Sequence, residues 1–404
     1  MSSLYSATQF PDDLRPYVTA GAVRTGDFRA VSGLFRLASV PRTADPLSWV
    51  AFALVLGASR SGHTCVDLAH ISLWAPEGSE DAGLHWPDDP AQWLAAVNSC
   101  GGLVCAPTER DAPPRKPFVL DGTRLYSARS YDEELKVAAF LRKATGEGRL
   151  TIVTGGPGSG KTTKVAETIV AHVQSTAGTD TVALAAPTGL AAKRMARALR
   201  GAVARVIAGG GADASAESLV AGLPKLTVHK LLKYNPVARV RWRFNRSDRM
   251  PYDLVVIDEV SMMPLSMMAR LLEAMKDGAR LILVGDPHQL ASVEAGTVLA
   301  DIVEASARGS VGVDQLDKKF RFPEGSPVDD IATHTKAGDA DGVSAAVRRH
   351  HGHNGGDGRF TWVDPVTDGP ALQNVARAVV RSEEHTSELQ SHSDLVCRLL
   401  LEKK

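Results

Sequence analysis

Apolar positions fall into two regimes along the chain. Between residues 150 and 284, four short and nearly continuous apolar runs, Leu150–Val153, Thr181–Ala186, Leu254–Ile257 and Arg280–Val284, each end in a polar or glycine-rich cluster. Runs this short and this apolar predict strands covered on both faces, the pattern of a parallel sheet. Between the runs the period changes. Val165, Ile169 and Val173 recur at helical spacing, and a second helix is predicted after Pro187, carrying Lys193, Arg194, Arg197 and Arg200. Methionines 262, 263, 267, 268 and 275 straddle a third helix and are read as core filling. Before residue 110 the apolar groups Val31–Leu37 and Trp49–Leu56 alternate with Pro, Gly and Asp breaks, which predicts a separate, mainly helical domain. Phe118–Glu134 is expected to run from a strand into a helix that ends at Gly146-Glu147-Gly148.

The polar clusters at the strand ends carry the chemistry. After Leu150–Thr154 come Gly155, Gly156, Pro157, Gly158, Ser159, Gly160, Lys161, Thr162 and Thr163. Gly155–Thr162 fits G-x-x-x-x-G-K-[ST], a phosphate-binding loop, and the strand before it and helix after it are the context that motif requires. Convergent backbone N–H groups and the helix start hold a polyphosphate. Lys161 is expected on the β- and γ-phosphates and the Thr162 hydroxyl on Mg²⁺. The third strand delivers Asp258 and Glu259, expected to hold Mg²⁺ and to activate the attacking water, respectively. The fourth leads into Gly285–Leu290, where Gln289 is placed to sense the γ-phosphate and His288 is either a sensor or structural. Arg321 is a candidate for stabilising charge on the transferring phosphoryl group. The expected cofactors are ATP and Mg²⁺.

Charge changes the picture only locally. Lys+Arg and Asp+Glu balance at 46 each, so no global field points to nucleic acid. Lys225–Met250, however, holds eight basic residues and one acid. Within it Arg239, Arg241 and Arg243 alternate with Val240, Trp242 and Phe244, so a strand would put three arginines on one face. That pattern suits a nucleic-acid groove, and equally an edge strand kept soluble by its charges. Four cysteines form no disulfide scaffold and no zinc spacing; His63 with Cys65 is read as a packed pair, Cys100 and Cys105 as small buried hydrophobes. With no apolar leader or membrane-length run, a soluble cytoplasmic protein with no membrane partner is expected.

Gly155–Thr162, Ala186–Gly189, Thr227–Leu232, Asp258-Glu259, Gly285–Leu290 and Leu316–Phe322, in that order, resemble successive motifs of superfamily 1 helicases. Within that group they look like the RecD family, the alpha subunit of the RecBCD exodeoxyribonuclease V. Gly62–Leu68 and Leu125–Glu134 agree with the family's partner-facing domain and motor entry. The resemblance implies an α/β P-loop NTPase with a RecA-like parallel sheet. It implies an ATP-dependent motor moving 5′→3′ on single-stranded DNA from duplex ends, in double-strand break repair, with RecB-like and RecC-like subunits. It also implies strand contacts from Pro187, Thr188, Thr227 and His229, joined by Arg239, Arg241, Trp242 and Arg243 of the basic hairpin.

The expected domains are a partner-docking region at 1–115, a motor lobe at 116–345 with a basic insert near 222–250, and a linker or start of a second lobe at 346–380. Two departures stand out. Leu135–Ala139 lacks the family's adenine-reading Gln, and too few residues follow Arg321 for the second RecA-like lobe that completes the ATP site. Residues 381–404 look like a translated sequencing adapter, so a clipped chain is expected, binding nucleotide weakly and not unwinding DNA. The alternatives are a stand-alone RecD-like helicase and a nucleotide-binding assembly subunit without motor activity.

Overall fold

The computed structural model describes residues 10–350 apart from 42–43, 77–83, 157, 177–179, 210–221, 224, 238–241, 288, 290–295, 297, 308–312 and 317–324. Pro157, Arg239, Arg241, His288 and Arg321, with the expected linker and tail beyond 350, therefore lie outside the described residues.

The N-terminal region is built around one helix. After α1 (Arg15–Thr19) and α2 (Thr25–Leu37), α3 spans Pro46–Ala58. Its start is specified locally: Asp45 accepts the Leu47 N–H at 2.9 Å, and Pro46 occupies the first turn, where no N–H is needed. Leu47 to Val55 are all buried, so α3 is apolar all round and forms the axis of a core rather than one wall of it. Phe35 of α2 packs on Trp49 and Phe52, with ring centroids 4.3 and 6.0 Å apart.

Beside α3 lies a small sheet of β1 (Cys65–Asp67), β2 (Val104–Cys105), β3 (Phe118–Asp121) and β4 (Arg124–Ser127), in the order β1-β4-β3-β2, with α4 (Pro90–Ser99) between β1 and β2 in the chain. The region is mainly helical, as expected, and this sheet is added to it. Phe118 and Leu125 belong to the same buried core as Trp49 and Phe52, so the strands after 115 complete this region. Strands of two to four residues are too short for a visible alternation.

From Ser127, whose hydroxyl accepts the Ser130 N–H at 3.1 Å, α5 (Ala128–Gly146) leads into the larger sheet. The chain then runs through β5 (Leu150–Thr154), α6 (Lys161–Ser175), β6 (Val182–Ala186), α7 (Gly189–Ala208), β7 (Lys225–Thr227) and α8 (Val228–Leu231). It continues through β8 (Leu254–Ile257), α9 (Leu265–Ala274), β9 (Arg280–Gly285), α10 (Val298–Ala307) and β10 (Asp314–Gln315). The sheet order is β10-β5-β9-β8-β6-β7, parallel throughout.

Alternate residues of the strands serve opposite cores. Ile152, Val255, Ile257, Leu281 and Leu283 pack with α5 and α9, whereas Val153, Val182, Leu184, Val256 and Ile282 pack with α6 and α7. Each fully buried aliphatic side chain contributes about 1.5–3 kcal/mol, so sandwiching the strands makes this sheet the rigid floor of the lobe. Met263, Met268 and Met275 are buried in that core, as expected of filler, and Met267 packs against it half-buried, but Met262 is exposed and is not part of it.

Of the expected strand Arg239–Phe244, only Trp242–Phe244 lies among the described residues. Trp242 forms a single bridge to Tyr234, and Arg243–Asp248 then turns irregularly, with the Asn245 side chain accepting the Ser247 N–H at 2.8 Å and donating to the Arg243 carbonyl at 2.9 Å. Side-chain burial still follows the alternation, with Arg243 exposed and Phe244 buried.

Residues 319–404 make a second unit, whose described part is a helical pair, α11 (Pro327–Lys336) and α12 (Ala340–His350). Asp330 of α11 takes Arg349 at 2.7 Å and His350 at 3.1 Å from α12. Among the described residues no helix is long and apolar enough to cross a membrane.

Candidate active site

The described groups singled out at strand ends sit on the carboxyl edge of the larger sheet, where parallel α/β sheets place their ligands. β5 releases the chain at Thr154 into the glycine loop. Gly155 adopts φ +154°, and a Cβ there would lie 2.5 Å from the Ser159 hydroxyl and 2.6 Å from the Leu316 carbonyl, so only glycine fits. Gly160, at φ +91°, turns the backbone into α6. Lys161, the first residue of that helix, folds back over the loop and donates to the Gly155 and Gly156 carbonyls at 2.5 and 2.9 Å. Thr162 and Thr163 follow on the first turn, half-buried.

β8 delivers Asp258 and Glu259 next to this loop. The Asp258 N–H is fixed to the Ala185 carbonyl of β6 at 3.0 Å, and its carboxylate accepts the Glu259 N–H at 2.9 Å. Glu259 itself sits at φ +53°, a left-handed conformation that a non-glycine residue adopts at a cost. The electrostatics agree with this crowding. Burial raises the Asp258 carboxyl to about 6, helped by the charge of Glu259 and opposed by the Glu259 N–H and Lys161. Glu259 is also raised by burial, against Arg194 and Lys161. Burial lowers the Lys161 ammonium, and Asp286, Asp258 and Glu259 pull it back up.

One ammonium facing three carboxylates is a donor set matched to a polyphosphate with a divalent cation. Among the described residues, the oxygens of Thr154, Ser159 and Ser261, buried around the same edge, find no hydrogen-bond partner, as expected where a ligand supplies one. These residues fit Mg²⁺-nucleotide. Lys161 and the loop amides would take phosphates, Thr162 and Asp258 the cation, and Glu259 the water. Gln289 is exposed at the turn after β9, its N–H on the Asp286 carbonyl at 3.2 Å.

Two participants escaped the sequence reading. Asp286 is buried and is the strongest carboxylate influence on Lys161; its position at the end of β9 was the available signal. Arg194 acts on Glu259 from the second turn of α7, and helical spacing alone does not reveal which arginine of that helix turns inward.

Of the expected strand-contacting residues, those described form a neighbouring patch; Arg239 and Arg241 lie outside the described residues. Ala186 of β6 pairs with Thr227 of β7, which sets Thr188 and Thr227 side by side at adjacent strand ends. Both hydroxyls cap helices, Thr188 accepting from the Ala191 N–H and Thr227 from the Lys230 N–H, each at 3.2 Å. Each O–H proton can still be donated outward. Pro187 is half-buried beside them. His229 is exposed and stacks with Tyr234 and Trp242, at centroid distances of 5.4 and 5.5 Å, while Tyr234 and Trp242 lie 4.5 Å apart. Arg243 borders this aromatic group.

Residues 20–126 match the N-terminal domain of the RecBCD enzyme subunit RecD, and residues 138–295 match an AAA domain. The RecBCD enzyme subunit RecD of Mycobacterium tuberculosis H37Rv is 36% identical over 392 residues, spanning 90% of this chain and 63% of its own. The Mycolicibacterium smegmatis subunit of the same name is 36% identical over 367 residues, covering 82% and 61%. The ATP-dependent RecD2 DNA helicase of Deinococcus radiodurans is 38% identical over 169 residues, covering 42% and 20%. The chain thus spans a little over three-fifths of its mycobacterial relatives. With a P-loop NTPase sheet preceded by the RecD-type N-terminal region, it belongs to the RecD family.

Proposed function

We propose that this chain supplies the nucleotide-binding lobe and partner-docking region of an ATP-dependent 5′→3′ DNA helicase, a subunit of a RecBCD-type helicase/nuclease that processes double-strand breaks. The observation that carries the reading is the convergence of Lys161, Asp258, Glu259 and Asp286 at the sheet edge, beside the patch of Thr188, Thr227, His229 and Trp242. The relatives bearing the names RecBCD subunit and RecD2 DNA helicase support it.

In this reading Lys161 leaves the Gly155 and Gly156 carbonyls for the phosphates, so the apo contacts hold its charge in place in advance. The cation, when bound, neutralises charge on the phosphates. Asp258 holds it as the carboxylate, so below about pH 6 binding is coupled to proton release. Glu259, raised in pKa and kept in a fixed backbone pose, orients the water and takes its proton. Gln289 is assigned to the γ-phosphate end, the role that the family resemblance also implies for Arg321. On the adjacent patch, the aromatic faces stack bases while Lys230, Arg243 and the threonine hydroxyls meet phosphates. The cytoplasm is the proposed location, and RecB-like and RecC-like chains the partners.

The test is binding of a fluorescent ATP analogue with and without Mg²⁺ and oligo-dT, on the wild type and Lys161→Ala. The reading expects Mg²⁺-dependent binding that the substitution removes, and single-strand binding that survives it. Nucleotide binding indifferent to Lys161 would overturn it.

A further inference from the structure

The N-terminal region meets the nucleotide-binding lobe at a point that this chemistry leaves unused. The Gly62 carbonyl, at the tip that leads into β1, accepts the Gly296 N–H at 3.1 Å. Gly296, at φ +100°, has no room for a side chain: a Cβ there would lie 2.8 Å from the Leu265 Cβ, at the start of α9. It is clamped between the two regions. Close after it begins α10, and Leu299 of that helix covers Gly285 so tightly that a Cβ on Gly285 would be 2.5 Å from its methyl group. The same Cβ would be 3.4 Å from the backbone nitrogens of Val260 and Ser261. Gly285 immediately precedes Asp286, and Val260 immediately follows Glu259. Next to Gly62, the Thr64 hydroxyl donates to the carboxylate of Glu134 on α5. Burial raises the Glu134 pKa against that hydrogen bond, and the charge of Asp301 on α10 adds to the rise. The helix α10 is therefore packed against the acid-bearing strand ends on one side and tied to the N-terminal tip through the residues at its start.

We infer that the Gly62–Thr64 tip and Glu134 are positioning residues for the segment bearing Asp286 and Gln289, so that the N-terminal region sets how well the terminal phosphate of the nucleotide fits. This rests on the nucleotide reading above. None of the three touches the nucleotide; they act through Gly296 and α10. A packed interior does not deform smoothly, so a shift of α10 that re-aims Asp286 must be met by a shift at Gly62 and Thr64. By reciprocity, whatever a partner does to the tip alters preference for the terminal phosphate, and the nucleotide alters the tip by the same factor.

The experiment measures affinities of the full chain for Mg²⁺-ATPγS and Mg²⁺-ADP, for the wild type, Thr64→Val and Glu134→Ala, with melting temperatures recorded alongside. Each substitution is expected to weaken ATPγS about three- to tenfold while ADP moves by less than about twofold. Amide exchange across residues 60–67 should slow with ATPγS and not with ADP. If both nucleotides weaken equally, or neither does, and exchange at 60–67 ignores the terminal phosphate, the inference is overturned and the tip is only structural. If the wild type binds neither nucleotide, the functional reading fails instead, which is a separate result.

Discussion

The two ends of the large sheet use the same residue types in opposite ways. At the amino edge the prominent charges among the described residues are matched. Lys276 and the Thr181 N–H and hydroxyl hold Asp253 at about 2. Arg149 pairs with Glu147 and donates to the Ala279 carbonyl at 2.6 Å, and Arg249 takes the carbonyls of Glu273 and Met275. At the carboxyl edge the carboxyls of Asp258 and Glu259 are pushed up, Lys161 is pushed down, and buried hydroxyls lack partners. One edge lowers the free energy of the folded chain; the other withholds that stabilisation until a ligand arrives. Sequence hydropathy is blind to the difference, because both edges are polar residues flanking apolar strands.

The comparison can be broken by four changes, taken from the largest expected effect. Lys161→Ala should lower Mg²⁺-nucleotide affinity about a hundredfold, the scale of two charge-assisted hydrogen bonds, with little change in melting temperature. Asp258→Asn should do the reverse of an ordinary site mutation and stabilise the apo protein by about 2–3 kcal/mol at pH 7.5. The sign follows from the raised pKa. Between pH 4 and about 6 the folded chain holds a proton that the unfolded chain has lost, so stability falls as pH rises through that window. The Asn variant should lack that fall, which denaturant melts at pH 4.5 and 7.5 would read. A wild type whose stability is flat across the window would remove the claim of withheld stabilisation.

Asp253→Ala, at the other edge, should destabilise by about 1–2 kcal/mol at pH 7, discounted for partial exposure. Here the folded pKa is depressed, so the contribution is present above about pH 4 and vanishes as pH drops toward 2. Thr181→Val should cost about 1 kcal/mol, through loss of hydroxyl bonds to the Pro251 carbonyl and the Asp253 carboxylate, both 2.8 Å. Neither change should alter nucleotide affinity; a measurable loss would mean the two edges are not independent.

Much of this was legible in the chain before any fold was known. Strands buried on both faces announce themselves as continuous apolar runs, and the phosphate loop, Asp258-Glu259 and Gln289 follow from where those runs stop. What stayed hidden depended on direction or partnership in space. The N-terminal sheet was missed because pairing, not pattern, defines strands such as Val104–Cys105. The turn that follows Trp242 was not foreseen, because it depends on the Asn245 side chain competing for the backbone. Arg194 entered the site through helix orientation, which no local window contains, whereas Asp286 directly follows β9 and was passed over.

The short edge strand β10 has a consequence for the order in which the molecule forms. Its successor Leu316 bonds the Thr154 carbonyl at 2.8 Å and presents its own carbonyl to Gly155, across a sequence gap of 161 residues (316 minus 155). Such distant pairing is slow to form and cannot begin until the later partner exists. During synthesis the nucleotide site is therefore sealed only after Leu316 has emerged. A nascent chain paused between α10 and β10 would have its sheet floor and both acids in place while its phosphate loop stood open along one side.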